Sequence, residues 1–163
     1  MRDKFIFFHN PSEENGYLSN WYLCDFVVDG IEFSSMEQYM MYEKAKIFED
    51  YFAMDRIIST KDVREIKEIG REVNNYNDLI WNGYRQIVVF KGLLHKFKQN
   101  NDLNIKLLDT NESIIAECAV KDLVWGIGFS LNDEQRFDME KWKGKNLLGF
   151  SLMVVRDELK KNG

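Results

Sequence analysis

Glu37 and Lys44 are the two side chains whose placement in this sequence points most directly to chemistry. They lie in the segment SSMEQYMMYEKAKIFED, residues 34–50, which has the periodicity of an amphipathic helix. At about 100° per residue, both fall inside the apolar half of that helix, about 10 Å apart along its axis. A charge set into an apolar face is costly unless it is paired or solvated, so this placement requires an explanation.

Two interpretations of the pair are open. In the structural one, Glu37 joins Ser34 in a capping box, and Lys44 reaches the rim of the core or pairs with a core carboxylate. Ser35 with Gln38 is an alternative capping frame. In the functional one, the helix floors a cleft. A partly desolvated lysine is then a nucleophile toward carbonyl carbons, and a partly desolvated glutamate is a general acid or base.

A second group of candidates lies in the middle of the chain. Trp81 and Arg85 are four residues apart and share one helix face with Gly92. They form an intramolecular cation–π contact or hold a planar ring and a phosphate, with the glycine leaving room for either use. Arg71 follows Gly70, where a backbone can approach a ligand closely, and is a weaker candidate for an anion contact.

The last third of the chain carries a third group. In KDLVWGIGF, residues 121–129, Trp125 stands beside Gly126 in a segment predicted to be a loop whose amides approach something closely. Asn146 is predicted to cap the final helix, and the sequence Gly-Lys-Asn at such a helix start is typical of an anion site.

The elements that must position these residues follow from local patterns. Residues 4–33 are predicted to form short antiparallel strands with a hairpin turn at Asp29-Gly30, and SIIAECAV is predicted to form a strand. Further helices are predicted over residues 61–73, from about Asn77 to Phe97 as the central buried helix, through LNIKLLDT, and from Asn146 onward.

Composition narrows the class of protein. The chain has 163 residues and a net charge of −5, which predicts one domain and argues mildly against a surface built for long duplex nucleic acid. Two distant cysteines and the lack of an apolar run of membrane-spanning length indicate a cytoplasmic protein without a disulfide framework. The two histidines have no zinc-ligand pattern, so no metal site is expected.

Taken in order, the motifs resemble those of the YbiA-like, or NADAR, family. They are LSN at 18–20, FSSMEQYMMYEKA at 33–45, GR at 70–71, W-x-x-x-R at 81–85, AE at 116–117, D-x-x-WGIG at 122–128 and W-x-G-x-N-x-LG at 142–149. The resemblance spans about residues 5 to 159. Trp21 and Gln38 depart from it, since the family often has phenylalanine and histidine there.

The resemblance implies a mainly helical α+β domain over residues 1–163 with a small antiparallel sheet, which agrees with the local patterns. It also implies an N-glycosidase that cleaves the bond between a ribose carbon and a nitrogen. Two substrate classes are associated with the family. They are phosphorylated ribosylaminopyrimidine intermediates of riboflavin synthesis and ADP-ribose attached to guanine, including guanine in nucleic acid.

By resemblance, Lys44 attacks the anomeric carbon and holds the opened sugar as a Schiff base, while Glu37 serves proton transfer or charge stabilisation. Which carboxylate protonates the leaving group is open. The resemblance also implies Trp81 and Trp125 as aromatic walls, and Arg71 and Arg85 as phosphate ligands. Asn20, Asp122 and Asn146 are implied to orient hydroxyls or ring nitrogens, and Gly126 is a further implied substrate contact.

The implied reaction needs no metal or redox cofactor and no membrane. The alternative is a catalytically silent module that binds ADP-ribose or another nucleotide. The presence of both Glu37 and Lys44 favours the enzyme. The sequence leaves open the physiological substrate and the oligomeric state.

Overall fold

A computed structural model describes residues 4–163 of the chain. They form two compact units. The central unit is Leu23–Asn100, and the terminal unit combines the residues up to Tyr22 with Asn101–Gly163. The prediction of a single domain stays a prediction.

The central unit consists of a hairpin followed by four helices. These elements are β2 (Leu23–Val28), β3 (Ile31–Ser35), α1 (Met36–Ile47), α2 (Tyr51–Ile58), α3 (Val63–Arg71) and α4 (Asp78–Gln99). Strands β2 and β3 pair antiparallel. The predicted turn between them is confirmed, since Asp29 and Gly30 have φ values of 50° and 80°, which suit a tight two-residue hairpin turn. Helix α1 packs against α2, α3 and α4 and is the centre of this unit.

The start of α1 uses the second of the two predicted capping frames. Ser35 is the N-cap, and its hydroxyl accepts a hydrogen bond from the Gln38 amide at 3.1 Å. The Gln38 side-chain carbonyl accepts in return from the Ser34 amide at 2.7 Å. The cap is therefore formed by Ser35 and Gln38, with the Gln38 side chain bonded to the residue before the N-cap, and the expectation that Glu37 joins Ser34 in a capping box is wrong.

The other predicted helices of this unit are present with adjusted ends. Asp62 caps α3 through the amides of Arg64 and Glu65, and Asn77 caps α4 through the amide of Ile80. The expectation that α4 is the central buried helix is wrong, because part of its apolar face is exposed. Three of its apolar residues, Leu79, Ile80 and Ile87, are 83%, 44% and 68% exposed.

The terminal unit contains β1 (Phe5–Phe8), α5 (Asn101–Leu108), β4 (Ile114–Glu117) and α6 (Leu147–Lys161). Strand β1 pairs parallel with β4, from Phe5 opposite Ile114 to Phe8 opposite Glu117. This corrects the prediction that every strand in residues 4–33 is antiparallel. The local pattern identified β1 as a strand, but its partner is far away in sequence and leaves no local signal.

The fold class is confirmed: the protein is mainly helical with a small antiparallel sheet, to which the β1–β4 pair adds a parallel one. Cys24 and Cys118 are free thiols. Within residues 4–163, no helix combines the length and apolar character needed to cross a membrane.

Candidate active site

The Lys44 amine is held inside the central unit by a backbone carbonyl and two aromatic rings. Its Nζ donates a hydrogen bond of 2.7 Å to the carbonyl oxygen of Gly70. It lies 4.6 Å from the ring centroid of Tyr76 and 5.9 Å from that of Trp81. The side chain is half-buried. The lysine therefore turns inward from α1 to a fixed position.

Burial lowers the pKa of the Lys44 amine, and the fields of the Glu37 and Asp78 carboxylates oppose that effect. Desolvation is the largest influence because a half-buried ammonium loses part of its hydration. A lysine with a lowered pKa has more of the neutral, nucleophilic form near neutral pH than an exposed lysine has.

Glu37 lies in the first turn of α1 and is 5% exposed. It acts on Lys44 electrostatically, which agrees with their predicted location on one face of the same helix. A carboxylate in the first helical turn is also stabilised by the helix dipole. The central unit thus places a sheltered carboxylate within electrostatic reach of a sheltered amine.

Gly70 lets α3 approach α1 closely enough to offer its carbonyl to Lys44. A Cβ at Gly70 would overlap the Met41 side chain of α1. The close approach predicted at this glycine is therefore made to α1. Gly92 allows a similar close approach on α4, because a Cβ there would overlap the ring of Tyr39. The room that this glycine leaves is therefore taken by Tyr39 and does not lie beside Trp81 and Arg85.

Trp81 is 6% exposed, so most of its ring surface is covered by protein. The cation over the Trp81 ring is Lys44. Within residues 4–163, the alternative cation–π contact between Trp81 and the Arg85 guanidinium is not formed. The structure thus places Trp81 as a wall beside the amine, which leaves little of the ring to sandwich a base.

Arg85 lies one turn after Trp81 and is half-buried. Its Nε is buried and has no hydrogen-bond partner among the described residues. Burial and then Asp78 raise the pKa of Tyr76 to about 12, and the charge of Arg85 opposes them, so Arg85 lies within electrostatic reach of that tyrosine. A buried donor without a partner is costly, and an anionic ligand would satisfy it.

Arg71 is arranged differently from Arg85. Its side chain is 61% exposed and forms an ion pair of 2.7 Å with Glu68 one turn earlier on α3. The two predicted phosphate ligands are therefore not equivalent, since Arg71 already has an anionic partner.

Within the terminal unit, Asn20 is 7% exposed, and its side-chain oxygen is buried without a hydrogen-bond partner in the described part of the chain. Trp125 is half-buried. The carboxylate of Asp122 accepts hydrogen bonds from the amides of Val124 and Trp125 at 3.0 and 2.9 Å, which fixes the turn that carries the tryptophan.

The predicted loop at 121–129 is confirmed. Its backbone packs closely against β4 and the start of α6. A Cβ at Gly126 would lie 2.9 Å from the carbonyl oxygen of Glu117, the last residue of β4. The carbonyls of Val124 and Trp125 accept from the amides of Leu147 and Leu148 at the start of α6. The predicted anion site at this helix start is therefore filled by these two carbonyls.

Asn146 is fully buried, and its side chain bonds to the backbone of β4. Its amide nitrogen donates to the carbonyl of Ile115 at 2.9 Å, and its amide oxygen accepts from the Glu117 amide at 3.1 Å. It precedes α6 in a left-handed conformation without a side-chain cap bond. The expectation that Asn146 caps α6 is wrong, because this side chain ties α6 to β4, and its contact with a substrate stays a prediction.

Tyr76 and Asp78 lie beside Lys44, and neither was predicted from the sequence. The only signal is an aromatic residue inside the polar stretch NNYND, directly before the α4 cap. Such a tyrosine is as typical of an ordinary loop as of a site, so its contact with Lys44 becomes visible only in the fold.

Comparisons with known proteins agree on one family. The NADAR domain model matches residues 6–160. An N-glycosidase of Acanthamoeba polyphaga mimivirus is 38% identical over 164 residues, covering 96% of each chain. The N-glycosidase YbiA of Escherichia coli is 30% identical over 159 residues, covering 98% of this chain and 91% of the relative.

A riboflavin biosynthesis protein of Vibrio vulnificus is 30% identical over 157 residues, covering 96% of this chain and 39% of the relative. Among solved structures, the NMR structure of Escherichia coli YbiA superimposes with a TM-score of 0.81 at 28% identity. That match covers 99% of this chain and 88% of the YbiA chain.

Proposed function

Because the chain belongs to the NADAR family, we propose that it is an N-glycosidase that hydrolyses the ribose C1–N bond of a nucleotide-like substrate. Two of its relatives carry the name N-glycosidase and are aligned over nearly their whole length. The observation that carries the proposal is the half-buried Lys44 amine with a lowered pKa and the buried Glu37 carboxylate on the same helix.

The reaction begins with loss of the nitrogen leaving group. As the C1–N bond breaks, positive charge develops at C1 and on the ring oxygen, and the Glu37 carboxylate is suited to stabilise it. The departing nitrogen takes up a proton, because an unprotonated nitrogen anion leaves slowly. Which carboxyl group supplies that proton is open in this proposal.

Lys44 supplies the nucleophile in the proposed covalent step. Its neutral amine forms a bond to C1, the ring oxygen leaves C1 and takes up a proton, and loss of the second amine proton gives an imine. Water then adds to the imine carbon, and the C–N bond to Lys44 breaks to release the sugar and regenerate the amine. A lowered pKa favours the attack, since the amine must be neutral to form the bond to C1.

Arg85 is the proposed phosphate ligand. Its buried Nε lacks a partner among the described residues, and its position one turn from Trp81 keeps it on the helix that borders Lys44. Arg71 is retained as a secondary anion contact at the exposed end of α3, where a ligand would have to compete with Glu68.

Two substrate classes fit this chemistry. Phosphorylated ribosylaminopyrimidines are favoured by the riboflavin biosynthesis protein among the relatives and by the acidic net charge of −5. ADP-ribose on guanine is the second class and needs the same bond cleavage. Asn20, Asp122, Trp125 and Gly126 stay predicted substrate contacts, and a cytoplasmic location stays a prediction from the cysteine usage.

The test compares both substrates side by side. We would incubate the protein with a ribosylaminopyrimidine phosphate and with an ADP-ribosylated guanine oligonucleotide, and measure released ribose phosphate or ADP-ribose. Borohydride added during turnover should attach the sugar mass to Lys44. Lys44→Ala should abolish turnover and trapping, whereas Lys46→Ala, which removes an exposed lysine of the same helix, should preserve both.

Binding without release would identify the silent nucleotide-binding module and refute the enzyme. Turnover by the wild type without any borohydride adduct would refute the Schiff base while leaving the N-glycosidase intact. Trapped sugar on a lysine other than Lys44 would refute the assignment of the nucleophile.

A further inference from the structure

Tyr76 presents the face of its ring to the Lys44 amine and is held there by its own contacts. Its hydroxyl donates a hydrogen bond of 2.7 Å to the Asp78 carboxylate. Its ring meets the Phe48 ring at 5.4 Å in an edge-on arrangement. With 43% of its surface exposed, Tyr76 fills no core position, so these contacts are not needed to pack an interior.

The loop that carries Tyr76 is tied down as well. The buried Asp50 carboxylate caps α2 by accepting from the Ala53 amide at 3.0 Å. Its other oxygen accepts from the Asn74 amide at 2.8 Å, two residues before Tyr76. The tyrosine is therefore fixed at its ring edge, its hydroxyl and its backbone, which makes it a rigid wall beside the amine.

We infer that Tyr76 is a positioning residue that orients the nucleophilic lone pair of Lys44. This inference rests on the proposed role of Lys44 as the nucleophile. A neutral amine has two N–H bonds and one lone pair. One N–H is directed to the Gly70 carbonyl, and the other meets the electron-rich face of Tyr76 as an N–H···π contact.

The lone pair then points away from both the carbonyl and the ring, because each of them repels it. With the amine held in this way, the attacking orbital has one open direction and needs no further ordering when the substrate arrives. Tyr76 itself takes no proton and forms no bond in the reaction, and it acts only through the orientation of the Lys44 amine. Its hydroxyl acts through Asp78 to keep the ring in place.

Nuclear magnetic resonance tests the geometry without any substrate. The ε-methylene protons of Lys44, identified by their loss in Lys44→Ala, should be shifted upfield by the Tyr76 ring current. Tyr76→Phe should keep most of that shift, because the ring and its contact with Phe48 remain. Tyr76→Leu should remove most of it and leave the smaller shift from the Trp81 ring, whose centroid lies 5.9 Å from the amine. An unshifted methylene in the wild type would overturn the inference.

Ribose 5-phosphate tests the reactivity of the amine. Its open form is an aldehyde, to which the amine adds with loss of water, and cyanoborohydride then reduces the imine to a stable secondary amine. Tyr76→Leu should slow adduct formation at Lys44 by about tenfold or more, and Tyr76→Phe by less than about threefold. Tyr84→Leu is the matched control, because Tyr84 is also an exposed tyrosine but lies on α4, and this variant should react as the wild type does.

A Tyr76→Leu variant that reacts at the wild-type rate would overturn the inference. So would a Tyr76→Phe variant that is as slow as Tyr76→Leu, since the ring would then not be the group that matters. Neither assay requires cleavage of an N-glycosidic bond. A protein that shows the expected pattern here but fails to turn over either proposed substrate would refute the proposed function and leave the positioning role standing.

Discussion

The carbonyl oxygen of Gly70 accepts a hydrogen bond of 2.7 Å from the Lys44 amine, and this bond joins the end of α3 to the inward face of α1. The contact exists because Gly70 has no side chain, since a Cβ there would overlap Met41. Position 70 therefore sets both the packing of two helices and the location of the proposed nucleophile.

Gly70→Ala is expected to damage stability and activity together. The added methyl group forces α3 away from Met41, at a cost of about 1–3 kcal/mol in the free energy of unfolding. The displaced carbonyl no longer holds Lys44, so the rate of sugar trapping should fall by about tenfold. Urea denaturation and borohydride trapping measure the two effects.

Gly83→Ala is the matched control for that substitution. Gly83 lies inside α4, and a Cβ there would have no neighbour within 4 Å. The substitution should stabilise the protein by about 0.5–1 kcal/mol through helix propensity and leave trapping unchanged. If Gly70→Ala behaved as Gly83→Ala does, the close approach of α3 to α1 would not be what holds the amine.

The pH dependence of trapping should reveal the lowered pKa of Lys44. The rate rises with pH as the ammonium loses its proton, and the midpoint should lie below the value of about 10.4 that is ordinary for lysine. Glu37→Gln should lower the midpoint further, because it removes a carboxylate that favours the ammonium. A midpoint at or above the ordinary lysine value, or a midpoint raised by Glu37→Gln, would contradict the electrostatic account.

Arg85→Met should separate substrate binding from stability. The variant loses the proposed phosphate ligand, so KM should rise by about tenfold to a hundredfold, with a smaller change in kcat. Stability should hold or improve, since a buried Nε without a partner in the described structure is removed.

Arg71→Met provides the comparison for Arg85→Met. Because Arg71 is 61% exposed and paired with Glu68, its loss should change KM by less than about threefold. Equal effects of the two substitutions on KM would show that the buried guanidinium is not the preferred phosphate ligand.

The parts of the site that the sequence predicted are those that depend on a single element. Glu37 and Lys44 share a face because α1 is a regular helix, and that placement follows from residue spacing alone. The surroundings of Lys44 were out of reach, because Gly70 and Tyr76 come from α3 and from the loop after it. Packing between elements depends on side-chain shapes that local patterns do not encode.

Asn146 shows the same limit in the terminal unit. An asparagine directly before a helix is typical of an N-cap, and the prediction followed that preference. In the fold, β4 offers a carbonyl and an amide at the right distance, and the side chain bonds to them instead. The strand pair β1–β4 was missed in part for a related reason, since a strand pattern does not identify its partner.

Lys96 predicts an unusual pH dependence of stability. It is fully buried in the central unit, and burial lowers its pKa from 10.5 to about 8, with the Cys24 sulfur opposing the effect. Between these two values the unfolded chain binds more protons than the folded one, so the free energy of unfolding rises with pH. The gain is on the order of 3 kcal/mol at most.

The rise should end at about pH 9, because burial raises the pKa of the Cys118 thiol from 9.0 to about 12, so the unfolded thiol ionises before the folded one. Tyr17, whose pKa burial raises to about 12, adds to the loss of stability above about pH 10. Urea denaturation at several pH values between about 7 and 10 measures the curve. Lys96→Met removes the titrating amine at nearly constant volume, so the stability of the wild type relative to the variant should increase from about pH 8 to 10. Parallel curves for the two proteins would show that Lys96 keeps an ordinary pKa and that its charge is compensated in the folded state.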